Sequence, residues 1–485
     1  MNTNQRETDN APYATTENPW KILIYMAADN NLKEESIFAL TDILKVGHVP
    51  GLDIIAQLDS GNSINRYDFT LLEEKPDANL DDLKVEIPPF PDPPYDQTSG
   101  RRTDLEMLKH FLQTGIESIG MEGYKMVILS GHGSGAVGDF LRSDNPPDAL
   151  SIPTLRTALE SFKNTIGDQK IDIIGMDSCL MSMAEVCYEL RGTAHYLVGA
   201  EGFARNAGWP YHQVISSLVK EGTQRQELFE PMGLTEHIVK EYIKHYSNYT
   251  DVGISDDQAA LDLIMVNALK DAVHTLAKDL IEKIRRPGIA DAIILAHWKA
   301  QSYKQDLYVD LRDFCESLII TCNDPKIQAD CEEVIRKVKE MVIISCYSGP
   351  AVQFSQGVSI YFPWNELTLI PQYKNLQFAQ DTQWDEFLEI CVSVTQRPVR
   401  NDCGLPKTEE KPPIDNPFPF PGIGFAPQNN RDSNIDRDSN IDRDSNIDRS
   451  LENSIGSIKN MPRKYFECPC QSKSSEMVSA NKKRS

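Results

Sequence analysis

Apolar residues recur in short runs along the first 200 positions: "KILIYMA" (Lys21–Ala27), "LDIIAQL" (Leu52–Leu58), "KMVILSG" (Lys125–Gly131), "KIDIIGM" (Lys170–Met176) and "HYLVGA" (His195–Ala200). Between most of them the apolar positions instead fall three and four residues apart, over Asn31–Gly47, Thr103–Ile119 and Thr154–Ile166. The first pattern predicts strands buried on both faces and the second predicts amphipathic helices. Their alternation specifies an α/β protein with a mainly parallel sheet covered on both sides. "RYDFTLLEEK" (Arg66–Lys75) predicts one further strand, paired locally.

Beyond residue 212 the pattern changes. Residues 213–340 read as mainly helical, with one long amphipathic helix over Gln258–Ile284, and strand signals return at Met341–Tyr347 and Gly357–Trp364. This predicts a body over 20–396: an α/β core at 20–212, a helical addition at 213–340, and closing strands and a helix at 341–396. The polar residues 1–19 predict a disordered segment. From 397 onward come "KPPIDNPFPFPGIGFAPQNN" and three copies of "RDSNID" (Arg431–Asp448). Each hexapeptide has one apolar residue, too little burial to offset ordering entropy, so 397–485 is expected to be a disordered, Pro-rich tail.

The formal charge is -23. Residues 397–485 carry 15 Lys and Arg against 13 Asp and Glu, so the acidity belongs to the body. That balance argues against nucleic acid and anionic membranes as partners and favours cationic ones. No run of about 18 apolar residues suggests a membrane helix, and no secretory signal opens the chain. The 10 cysteines are scattered without a C-x-x-C pair, the pattern of reduced thiols rather than a disulfide framework, which predicts a cytoplasmic protein.

Two strand ends carry the chemistry. "KMVILSGHGSGAVG" runs into His132, set among Gly131, Gly133 and Gly135, and "KIDIIGMDSCLM" runs into Cys179. Parallel sheets bind ligands beyond the carboxyl ends of their strands, so neighbouring strands would bring this imidazole and thiol face to face. A thiol and a base in contact suit nucleophilic catalysis. Cys179 is expected to open a helix, whose positive end would favour a thiolate, and the amides of Gly133 and Cys179 are candidate oxyanion donors. The competing reading is a small buried cysteine and a connecting glycine turn.

"SGHGSG", "MDSCLM", "AGWPY" (Ala207–Tyr211) and "SIYFPW", each in its place along the chain, resemble the clostripain-like cysteine peptidases from about Trp20 to Pro363. The resemblance implies a caspase-like α/β sandwich, His132 as general base and acid, Cys179 as nucleophile, and cleavage of peptides or proteins after Arg or Lys. Its acid two residues before the cysteine matches Asp177, expected with Glu201 to bind the basic side chain. Arg205 and Asn206 stand where a further acid is expected. Many relatives cut themselves between the two motifs, and Arg142 is the only basic residue in the polar stretch 139–150. No cofactor or metal is required for this chemistry; calcium is a possibility by resemblance. A non-catalytic caspase-like scaffold that recruits partners through the tail is the alternative, and a transpeptidase on the same dyad is a third.

Overall fold

A computed structural model describes residues 19–61, 63–90, 104–144, 147–222, 225–247, 255–364 and 369–395. The tail, the hexapeptide repeats and residues 1–18 lie outside them. In chain order the strands are β1 (Trp20–Ala27), β2 (Leu52–Asp59), β3 (Ile64–Asp68), β4 (Lys84–Val85), β5 (Tyr124–Ser130), β6 (Phe140–Asp144) and β7 (Pro147–Leu150). They continue with β8 (Ile171–Asp177), β9 (Ala194–Gly199), β10 (Asp256–Asp262), β11 (Ser302–Tyr303), β12 (Tyr308–Asp310), β13 (Val342–Ser348) and β14 (Ser359–Tyr361).

Among the described residues, nine strands form the central sheet, in the order β13-β10-β9-β8-β5-β1-β2-β3-β4. Its middle, β9 through β2, is parallel throughout and consists of the five apolar runs. Strand alternation decides which core each residue joins. Leu23 and Tyr25 of β1 and Val127 and Leu129 of β5 enter one core. It is shared with helices α2 (Asp104–Ile119), α3 (Ile152–Thr165), α4 (Ala184–Leu190) and α7 (Val266–Lys283). Ile22, Ile24, Met126 and Ile128 enter the other, under α1 (Lys33–Leu44), α5 (Tyr211–Gly222) and α6 (Pro231–Ser247). The sheet is thus sandwiched between helices on both sides, as the strand and helix patterns imply.

Two expectations are corrected. Gln258–Ile284 is not one helix. Asp256–Asp262 forms β10, antiparallel to both β9 and β13, and α7 begins only at Val266. Ala259, Ala260 and Leu261 are fully buried between the two neighbours. A short apolar run serves a buried strand as well as a helix, and Asp262 then turns the chain by accepting from the Ile264 amide at 3.0 Å. Residues 213–340 are therefore no separate addition, since β10 and β13 complete the central sheet. Likewise Arg66–Lys75 is a strand only to Asp68; Phe69–Glu73 is a 3-10 helix, started by Asp68 accepting from the Thr70 amide.

β11, β12 and β14 make a second sheet of three strands. Among the described residues no helix is long and apolar enough to cross a membrane.

Candidate active site

β5 and β8 are parallel neighbours, and their register sets Ser130 beside Asp177. His132 and Cys179 each stand two residues further on, past the carboxyl ends of the two strands. Both line one cleft, with Asp177, Arg205 and Gly208. The loops meet backbone to backbone: a Cβ on Gly133 would lie 2.3 Å from the Cys179 carbonyl oxygen and 3.2 Å from its amide nitrogen. A glycine is required there because any side chain would push the histidine loop off the cysteine turn.

Cys179 does not open a helix. Leu180 takes a left-handed φ of 64°, and the amides of Leu180 and Ser182 donate to the carbonyls of Gly202 and Ala200, each at 2.9 Å. These bonds hold the segment extended against the 200–202 loop, so α4 starts only at Ala184. The helix dipole fades beyond its first turn, so it does not act on the thiol. Burial pushes the half-buried Cys179 thiol up, and the carboxylates of Asp177 and Asp257 add to this. His132 is pushed the opposite way, by burial and by the charge of Arg142, with Asp144 opposing. Both shifts favour the neutral forms, thiol and imidazole.

Asn31 was not legible as a site residue. Its Oδ1 lies 2.7 Å from His132 Nε2 and, as an acceptor, takes the ring proton there, which leaves Nδ1 as the unprotonated nitrogen of the neutral ring. Asn31 sits just past β1, the other neighbour of β5, and a single exposed asparagine carries no signal of its own in the sequence.

Asp177 is buried in the floor of the cleft. Its Oδ2 accepts from the Tyr211 hydroxyl at 3.0 Å, whereas Oδ1, equally buried, has no hydrogen-bond partner. Burial raises its pKa to about 6, with the neighbouring Trp209 amide and Ser130 and Tyr211 hydroxyls acting against it. Gly208, at φ 71°, leaves room for it: a Cβ there would lie 2.8 Å from Oδ2.

Glu201 is not in the cleft. It is fully buried behind it, its Oε2 accepting from the Gly357 amide at 2.6 Å. Its carboxyl shares a hydrogen bond with that of Asp310. Burial and the neighbouring acids Asp310 and Asp257 hold Glu201 well above the usual carboxylate range, and burial raises Asp310 to about 7. Two carboxyls so placed share one proton. Their folded values exceed the unfolded ones, so the stability they contribute is full below about pH 4. It is lost as pH rises toward 7. Glu201→Gln supplies an amide hydrogen in place of that proton. The variant is expected to show a flatter fall of unfolding free energy between pH 5 and 8, by an amount on the order of 1–3 kcal/mol, and a slope equal to wild type in denaturant unfolding would refute the shared proton.

Arg205 does not confront the cleft with a free charge. Its Nε and Nη2 bond Asp256 at 2.6 Å each, in a bidentate pair, and its guanidinium lies 5.1 Å from the Tyr246 ring centroid. The sequence placed an arginine at the cleft; only the return of β10 beside it supplies the neutralising acid.

Arg142 sits in a hairpin rather than in an open loop. It lies within β6, which pairs with β7, Phe140 and Leu141 beside it are buried, and the Arg142 carbonyl accepts from Asn30 Nδ2 at 2.7 Å. The alternation of buried and exposed positions here is too short for periodicity to reveal. The side chain itself is exposed and paired with Asp144 at 3.0 Å. Among the described residues Cys179, Cys187, Cys315, Cys322, Cys331 and Cys391 are free thiols.

A model of the clostripain family matches residues 24–390. Among solved structures, a secreted C11 cysteine protease from Bacteroides thetaiotaomicron, in complex with an irreversible peptide inhibitor, is 17% identical with a TM-score of 0.55, over 76% of this chain and 99% of that one. An inactive zymogen C11 protease from Parabacteroides distasonis is 18% identical with a TM-score of 0.55, over 75% and 98%. No curated protein matches. At such identities the likeness shows the fold alone.

Proposed function

The chain belongs to the clostripain family of cysteine proteases, and from that premise we propose that it is an endopeptidase that cuts after Arg or Lys with His132 and Cys179 as its catalytic pair. The observation that carries the specificity is an oxygen of the buried Asp177 carboxylate in the floor of the cleft, which Cys179 also lines. A guanidinium or ammonium is the group such an oxygen accepts best.

In this reading His132 Nδ1 takes the thiol proton as the Cys179 sulfur attacks the carbonyl carbon of the scissile bond. The amides of Gly133 and Cys179 hold the oxyanion. The imidazolium then gives its proton to the leaving amine, and a water activated by His132 hydrolyses the thioester. Substrate charge couples to the step: Asp177 raises the thiol in the free protein, and a cationic side chain on Asp177 removes that opposition. A panel of fluorogenic peptides differing only in the residue before the scissile bond tests this. Arg and Lys peptides are expected to be cut and Ala, Leu and Glu peptides spared; cleavage without that preference would sink the specificity.

We further propose that the chain activates itself after Arg142. The side chain is exposed, but its carbonyl is held by Asn30, so the hairpin must open for the bond to be cut. Arg142→Ala is expected to remain one intact chain on a denaturing gel under conditions that split wild type. A wild-type band pattern in the variant would move the cut elsewhere.

Calcium finds no evident site among the described residues, where no three His, Cys, Asp or Glu side chains are grouped to hold a metal ion. The densest acids are taken: Asp256 by Arg205, and Asp257 by the amides of Glu201 and Gly202. We propose catalysis without a cofactor. As to compartment, we propose export rather than the cytoplasm, on the likeness to a protease described as secreted.

A further inference from the structure

The second, three-stranded sheet bonds the segments that follow both His132 and Cys179. On one side the Ser359 amide of β14 donates to the Ser182 carbonyl at 3.0 Å, three residues past Cys179. On the other, the turn between β11 and β12 reaches the histidine loop. There the Ser134 carbonyl, two residues past His132, accepts from Lys304 Nζ at 2.8 Å and from the Tyr308 hydroxyl at 2.6 Å. Gly135 leaves space for this approach: at φ 80°, a Cβ on it would lie 2.5 Å from the Tyr308 ring.

The turn that presents Lys304 is unusual. Lys304, Gln305 and Asp306 take φ of 50°, 57° and 62°, three successive left-handed residues of which none is glycine. L-residues seldom adopt this conformation even singly, and it persists only where its surroundings enforce it. The surroundings here are the β11–β12 pairing, the Ser302 hydroxyl on the Asp306 carboxylate, and the Phe362 amide on the Leu307 carbonyl at 3.0 Å. A turn with less strain would aim Lys304 elsewhere.

We propose that Lys304 is a positioning residue for the catalytic pair: fixed on the Ser134 carbonyl, it holds the histidine loop against the cysteine turn and supplies positive charge that favours the Cys179 thiolate. The proposal rests on the reading of His132 and Cys179 as a dyad. Among the groups that favour the charged ammonium are Asp139, from the histidine loop, and Cys179 in its thiolate form, and the Tyr308 ring centroid lies 5.6 Å away. Burial and two carboxylates oppose the thiolate, so a fixed cation is what the site otherwise needs. Burial also lowers Lys304 to about 8, so its charge is present at neutral pH and fades above that value.

The test is the rate of Cys179 alkylation by iodoacetamide against pH, read by peptide mapping, with steady-state kinetics on an Arg peptide. It compares wild type with Lys304→Arg, Lys304→Gln and Lys304→Met. Gln retains an N–H for the Ser134 carbonyl without the charge, so it carries the comparison if the Met variant does not fold. In Gln and Met the alkylation profile is expected to move up by about one pH unit, with about a tenfold slower rate at pH 7. Their kcat is expected to fall while KM holds. Arg, which stays charged, is expected to keep the wild-type rate at pH 7 and to exceed it above pH 8, where Lys304 loses its charge. A wild-type profile in the Gln variant overturns the charge role, and equal losses in all three variants with lowered melting temperatures reduce Lys304 to a structural tie. If wild-type Cys179 reacts no faster than the buried thiols, the dyad reading fails and this proposal fails with it.

Discussion

Asp177→Asn is expected to lower kcat/KM for Arg and Lys peptides by about 10²- to 10³-fold, the scale of removing one partner from a buried charge pair. The asparagine keeps the shape of the floor and a hydrogen-bond acceptor for the Tyr211 hydroxyl. What it removes is the charge, so the loss should appear for cationic substrates, whereas Cys179, relieved of a carboxylate that raises its thiol, should react with iodoacetamide at least as fast as in wild type.

Acidity should mimic the mutation. Asp177 titrates at about 6, so kcat/KM for an Arg peptide is expected to fall below that pH as the carboxyl becomes neutral, and the variant should lack this part of the acid limb. Stability should move the other way. A buried acid whose folded pKa is raised contributes stability fully below its unfolded pKa and loses it as pH rises through about 6. At pH 7 the variant is therefore expected to melt at or above the wild-type temperature. Lower activity with undiminished stability marks a residue placed for function, whereas a variant that both melts early and binds poorly would mark Asp177 as a structural acid.

Cys179→Ala is expected to abolish cleavage of every peptide, a loss of roughly 10⁵-fold or more, as follows when a protease loses its nucleophile. Alanine fits the half-buried position without a new contact, and the bonds that shape the turn are made by the backbone of Leu180 and Ser182. Folding should be unaffected, checked by circular dichroism and thermal melting. Self-cleavage should cease as well, leaving a single chain. Residual cleavage at more than about one hundredth of the wild-type rate would mean that another group attacks the bond, since oxyanion stabilisation alone does not sustain that much.

The amino-acid sequence by itself determined the parallel middle of the sheet, because five runs apolar on both faces can be buried only between two helical layers. It also determined that His132 and Cys179 end such strands, and that Asp177 precedes the cysteine by two. Placement at a strand end is a local property, and local spacing carries it. It did not determine β10, because Ala259 to Leu261 suit a helix as readily as a strand until β9 and β13 stand on either side. Nor did it determine where α4 begins, since that depends on carbonyls of the 200–202 loop that take the amides past Cys179.

The rest of the site was decided by contacts between segments far apart in the chain. Glu201 looked available to a substrate and is instead held by Asp310 and Gly357. Arg205 stands where an acid is expected and is neutralised by Asp256. Asn31 and Lys304 reach the histidine loop from β1 and from the β11–β12 turn. Charge and hydrogen-bond partners act over a few ångströms of space, whatever the separation in sequence, so only the tertiary structure could assign them.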